Sequence, residues 1–292
     1  MLRFDLAGLP PGLHLGTSSF GNADWVGPFY PEGAKAADFL RHYSALLPAV
    51  EIDATWYASP SAKLVDGWAR KTPDGFKIAA KVPKRITHDL YLENCEGEWA
   101  AFLSAMDRLG EKRGPLLFQF PYVAKGRDEH EYRTGDDFRR RLERFAPHLA
   151  EAGRCAVEVR NRTWLGEELY SLLREAGAAL VLADYYTMPP PEGYFEAGDP
   201  RTADFAYLRF LGHHRQMDKL VREAKEAGER KGDWESILVD RTGPTRAWIA
   251  VIRNLLQTGG DVFAFFNNHY AGFAPGSIDL FLRLWAEDRE GA

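Results

Sequence analysis

The chain has 292 residues, 45% hydrophobic and 27% charged, with a formal net charge of −5. That allows a sizeable core and is ordinary for a globular protein, while the acidic balance argues against a broad basic surface for nucleic acid. Cys95 and Cys155 are far apart, the start Met1-Leu2-Arg3-Phe4-Asp5 makes a poor signal peptide, and no stretch approaches the roughly 18 apolar residues of a spanning helix, so a cytoplasmic protein with reduced thiols, away from membranes, is expected.

Short apolar, β-branched or aromatic runs alternate with amphipathic segments. The first strand is expected at 13–18, with a helix at 36–46; then strand 50–53 with helix 62–70, and strand 76–81 with helix 98–109. Strand 115–119 is followed by helix 136–149, and strand 155–160 by helix 165–175. Strand 180–184 leads into the proline-rich stretch 188–193, read as a loop rather than a helix. Strand 205–209 precedes helix 245–257, and strand 262–266 precedes the closing helix 277–286. Parallel strands need crossovers, so this alternation predicts a parallel α/β architecture. No glycine-rich fingerprint follows the first strand, as a dinucleotide-binding open sheet would require. The expected fold is a (β/α)₈ TIM barrel forming one domain over residues 1–292.

Loop lengths orient the barrel. Helix-to-strand connections are short (72–75, 110–114, 176–178, 259–260), whereas strand-to-helix connections are long (19–35, 82–97, 120–135 and 210–243, the last with a charged helix near 218–231). Long loops are uncommon unless functional, and in such barrels the strand-leaving loops build the active face. Side-chain alternation turns Glu51, Asp53 and Thr55 inward on the second strand, Lys77, Ala79 and Lys81 on the third, and Ala156, Glu158 and Arg160 on the fifth. Gln119, Asp184, Arg209 and Asn267 end their own apolar runs. So many polar groups at one end of a packed interior are costly unless they pair or meet a ligand.

Several segments carry a further signal: Gly16-Thr17-Ser18 with Trp25-Val26-Gly27-Pro28-Phe29-Tyr30-Pro31; Val50-Glu51-Ile52-Asp53-Ala54-Thr55-Trp56-Tyr57 with Pro60; Lys81 with Ile86-Thr87-His88; and Leu117-Phe118-Gln119-Phe120-Pro121. Further on stand Glu158-Val159-Arg160 with Trp164, Tyr207-Leu208-Arg209-Phe210-Leu211-Gly212, and Phe265-Phe266-Asn267-Asn268. In order and spacing, from about residue 12 to residue 285, the chain resembles the YecE-like family, domain-of-unknown-function family 72. The resemblance implies a TIM barrel, loosely likened to sugar isomerases at the level of fold. The chain departs from the usual pattern at Ser19-Phe20, where a Gly-Trp or similar pair is common, and at Asp53 and Trp56, where Asn and Phe are usual.

These residues suit a small polar anionic ligand, with phosphorylated or acidic sugars as the first class. Lys81, Arg160 and Arg209 are cations from three strands, and arginine forks match carboxylates and phosphates. Glu158, His88 and Asp184 are the expected proton-transfer groups; Thr17, Asp53, Tyr57, Gln119, Asn267 and Asn268 are expected to contact the ligand. The competing view is that the charges pair with one another and close the barrel. Lys81 as a Schiff-base nucleophile is a further alternative. His213 and His214 are adjacent, but no metal-ligand spacing accompanies them, so neither metal nor cofactor is expected. An acid–base enzyme is the leading expectation; a non-catalytic binding or regulatory protein using the same pocket is the alternative, and a nucleic-acid-processing barrel the third.

Overall fold

The computed structural model describes residues 2, 4–124 and 134–290. Strands β1 (Leu13–Thr17), β2 (Ala49–Ile52), β3 (Lys77–Lys81), β4 (Arg113–Gln119), β5 (Cys155–Glu158), β6 (Ala179–Tyr185), β7 (Phe205–Gly212) and β8 (Asp261–Phe266) form one sheet in the order β1-β8-β7-β6-β5-β4-β3-β2, all pairs parallel. Strands such as β8, buried from Val262 to Phe266, have apolar neighbours on both faces, as parallel sheets wrapped by helices do.

The helices follow from their own signals. α1 (Phe39–Ser44) continues a 3₁₀ turn, and α2 (Ala62–Lys71) starts where Ser61 accepts a bond from the Leu64 amide. After α3 (Glu96–Asp107), α4 (Gly135–Ala152) is capped by Thr134, places Asp136 and Asp137 in its first turn, and buries Phe138, Leu142, Phe145 and Leu149 along one stripe. α5 (Glu167–Glu175) has acids first and Arg174 last. The proline-rich stretch departs from expectation: α6 (Pro191–Glu196) is a short helix, because Pro191 falls in the first turn, where a missing amide costs nothing. α7 (His214–Glu226) lies within the long connection after β7 and starts earlier than expected; α8 (Thr242–Gln257), α9 (Asn268–Ala271) and α10 (Ala274–Glu290) complete the shell. The expected long loop 120–135 falls mostly outside the described residues.

The barrel closes differently at β1 and β2. No ladder joins these two strands among the described residues. Instead the Tyr43 hydroxyl, on α1, accepts from the Thr17 amide at 2.7 Å and donates to the Ala49 carbonyl at 3.0 Å. The strands still approach closely: a Cβ on Gly16 would lie 2.1 Å from the Ala49 carbonyl oxygen, so only glycine fits. No helix among the described residues is long and apolar enough to cross a membrane.

Candidate functional site

Strand alternation brings a charged ring together at the carboxyl ends. At its centre is Arg209, 2% exposed, which uses every nitrogen of its fork. Nη2 and Nε donate to Glu51 Oε1 at 2.6 and 3.2 Å, Nη1 donates to Glu158 Oε2 at 2.8 Å, and Nη2 also reaches Asp53 at 3.3 Å. Tyr207, two residues earlier on the same face, donates its hydroxyl to the other Glu51 oxygen at 2.6 Å. This is a buried ion network, with bonds to charged groups worth about 1.5–3 kcal/mol each. Four of the five N–H groups of Arg209 are spent on the barrel's own carboxylates, so its main part here is to hold Glu51, Glu158 and Asp53 together.

Glu158 is fully buried between Arg209 and Arg160, whose Nε lies against Glu158 Oε1 as a close charge contact without hydrogen-bond alignment. Burial opposes ionisation of Glu158, but the two arginines outweigh it and hold the carboxyl below its ordinary range. A carboxylate held ionised and out of solvent between two arginines does not stand ready as an acid, so of the proton-transfer roles expected for Glu158 only that of a base is consistent with this setting. Arg160 stacks on the Tyr185 ring at 4.0 Å, and its carbonyl accepts from Thr187.

Two groups stand at the edge of this network. Lys81 ends β3, and its ammonium lies 4.9 Å from the Trp56 ring centre, with no hydrogen bond or ion pair among the described residues. Burial lowers its pKa; the charges of Arg209 and Arg160 act in the same direction, while Asp53 and Glu158 oppose them. Asp53 follows β2, whose Ile52 pairs with Ala80, so it stands beside Lys81. Its side chain is one-third exposed, and its carboxyl is raised to about 6 by burial and by the charge of Glu51, against Arg209 and Lys81. Expected only to contact ligand, Asp53 is the ring carboxyl poised to exchange a proton near neutrality.

His88 joins this corner. It lies in a π-helical turn, Arg85–Asp89, accepts or donates a 2.8 Å bond with the Thr87 hydroxyl, and meets the Trp56 ring edge-on at 5.2 Å. The following residues Tyr91, Leu92 and Asn94 all have positive φ, a strained path for side-chain-bearing residues. Tyr57, 74% exposed, stands at the mouth outside the ring.

The other expected residues lie elsewhere. Asp184 faces the helix layer, where it accepts from Trp248 Nε1 at 2.9 Å, and burial raises its pKa; its neighbour Tyr185 faces Arg160 instead. Asp184 therefore points away from the ring of charges. Gln119 lies beside Glu158 but donates back to the Phe120 carbonyl. Thr17 is engaged in the β1–β2 seam, and the oxygens of Asn267 and Asn268 cap α9 and receive the Ala274 amide.

Sequence reasoning missed the wall beyond Arg160. His214 packs against His269 at 4.3 Å and Tyr185 at 5.6 Å, and burial, with His269, Arg160 and Arg209, pushes its pKa down to about 4. His269 in turn meets Asp218 at 3.0 Å. The pair His213-His214 was visible, but the partner on α9 was not. Gly212 makes the approach possible: at φ +65, a Cβ there would lie 2.5 Å from the His269 carbonyl. Among the described residues, no three histidine, cysteine or acidic side chains converge as metal ligands.

The sequence pattern of a family described as "Protein of unknown function DUF72" matches residues 14–292. The chain belongs to the DUF72 family. It is 24% identical to the UPF0759 protein YunF of Bacillus subtilis, over 92% of this chain and all of that one. Two solved DUF72 proteins share the fold: TM1631 of Thermotoga maritima, with a TM-score of 0.69 at 28% identity, covering 95% of this chain and 99% of that one; and EF0366 of Enterococcus faecalis, with 0.67 at 21%, covering 94% and 95%. A D-psicose 3-epimerase is similar in fold alone, with a TM-score of 0.53 at 12% identity. The DUF72 barrel is thus the frame on which this ring of charges is mounted.

Proposed function

We propose that this DUF72 barrel is an enzyme performing acid–base chemistry on a small, polar, anionic metabolite, with phosphorylated or acidic sugars as the first class. The observation that carries the reading is the Lys81 ammonium, without an ion pair among the described residues, beside a carboxyl, Asp53, raised to about 6. An anion entering there would supply the counter-charge that Lys81 lacks, with Arg160 as the second cation on the far side of Glu158. Asp53, beside Lys81, and His88, edge-on to Trp56, would move the proton. The fold shared with a D-psicose 3-epimerase supports testing sugars first, as analogy only.

The test is thermal denaturation of wild type, Lys81→Met and Arg160→Ala against sugar phosphates, sugar acids and inorganic phosphate. A ligand present at 100 times its Kd stabilises by about 2.7 kcal/mol, so a ligand of the right class should raise the wild-type midpoint and leave Lys81→Met unmoved. Equal shifts in wild type and Lys81→Met would overturn the anion site. Non-catalytic binding is favoured instead if Asp53→Asn binds the same ligand and wild type, given time, leaves that ligand chemically unchanged.

A further inference from the structure

Resting on the anion-site reading, the geometry points to a more specific chemistry: we infer that Lys81 is a carbonyl-reactive amine that forms an imine with anionic aldehydes or ketones.

Most buried or half-buried lysines in this chain are tied down. Lys112 donates to the Ala69 and Thr72 carbonyls at 2.8 and 2.6 Å, and Lys77 donates to the Glu111 carbonyl at 2.8 Å. Lys81 differs: half-buried at a strand end, it rests on an aromatic face with no acceptor in reach among the described residues. Its burial disfavours the charged form, and Arg209 and Arg160 act in the same direction against the opposing charges of Asp53 and Glu158. An amine in such a setting is the nucleophilic kind, because desolvation and neighbouring cations increase the uncharged fraction.

Imine formation also needs a proton carrier that gives back what it takes, and Asp53 follows directly on the Ile52–Ala80 pair, next to Lys81 at the end of the adjacent strand. The carboxylate takes a proton from the Lys81 ammonium, freeing the lone pair to bond the carbonyl carbon. The carbonyl π electrons pass to oxygen, and a proton moves from nitrogen to that oxygen, giving a carbinolamine. Protonated Asp53 then donates to the hydroxyl, which leaves as water while the nitrogen lone pair forms the C=N⁺ bond. Ammonium and carbonyl become iminium and water, and Asp53 ends as it began. No oxidant or metal is required. Arg160, pinned by Glu158 and Tyr185, is placed to hold the acid group of the substrate.

The experiment uses the full chain with glyoxylate, an aldehyde that carries a carboxylate, and sodium cyanoborohydride, which reduces the imine to a stable carboxymethyl-lysine. Lys84 is the internal control, since its ammonium lies 5.9 Å from the same Trp56 ring but is exposed. Peptide mass mapping should find Lys81 modified roughly tenfold faster than Lys84, with the preference reduced in Arg160→Ala and in Asp53→Asn. Neutral glycolaldehyde should show less preference than glyoxylate. Lys81→Arg, which keeps the charge, should fold, lose the adduct and keep the thermal shift with inorganic phosphate. Equal modification of Lys81 and Lys84 overturns the imine. If the phosphate shift survives that result, the anion site stands without it; if the shift is also absent, both readings fall.

Discussion

At the amino ends of the strands, Asp261 takes Arg154 at 2.5 Å and His14 at 3.2 Å; at the carboxyl ends, Arg209 takes Glu51 at 2.6 Å and Glu158 at 2.8 Å. Both ends therefore hold carboxylates against cations, and the difference is in what surrounds them. At the amino end the groups are partly open, with Asp261 28% and Arg154 38% exposed, and the nearby Lys77 donates to a carbonyl. At the carboxyl end the network is sealed, and beside it stand Lys81, with no ion pair among the described residues, and Asp53 with a raised pKa. The amino end has a cavity of about 400 Å³, lined largely by apolar groups such as Leu180, Leu182, Phe205 and Leu255. What separates them is unpaired charge, which costs stability at one end and offers a ligand something to bind.

Removing Arg209 should break the comparison most severely. Arg209→Met leaves Glu51 and Glu158 buried without their shared cation and should cost about 3–5 kcal/mol, read as the loss of unfolding free energy in urea. Asp261→Asn, at the open end, should cost no more than about 1 kcal/mol by the same measurement, because solvent screens the pair; an equal loss at both ends would erase the distinction. Lys81→Met should change stability least of the three, within about 0.5 kcal/mol, while abolishing the anion-dependent rise in melting temperature.

The smallest effect is one of slope. Asp53 is raised from 3.8 to about 6 on folding, so between those values the folded chain keeps a proton that the unfolded chain has released. Its contribution to stability is therefore full below about pH 4, falls as pH rises to about 6, and is flat above that. Urea midpoints measured across this window should decline more for wild type than for Asp53→Asn. Parallel profiles would mean that Glu51 and Arg209 leave Asp53 unshifted, and would remove it as proton carrier.

The strands and their inward faces were legible because the two-residue period is written in the chain: it placed Glu51, Asp53, Glu158 and Arg160 in the lumen. Partners across the barrel were not. That Arg209 binds Glu51, Glu158 and Asp53 at once depends on which strands face each other at one level, and local pattern carries no such information. Asp184 shows a second limit. It looks like a rim residue because it ends an apolar run, but β6 continues to Tyr185, where its register with β7 shifts, and the aspartate meets a tryptophan on α8. For Asn267 a signal did exist: asparagine directly before a short helix is a common N-cap, and its side chain accepts from the His269 amide.

The seam at Tyr43 bears on the order in which the barrel assembles. β1 leaves the ribosome first, yet its ladder partner is β8, the last strand made, with Leu13 beside Val262. Until then its other edge has only a phenol hydroxyl and the bare backbone of Gly16 against Ala49. The first strand synthesised is thus the last to be secured, and so long-range a closure belongs to the slow part of folding. In hydrogen exchange begun at successive refolding times, the β1 amides should gain protection after those of β3 to β5.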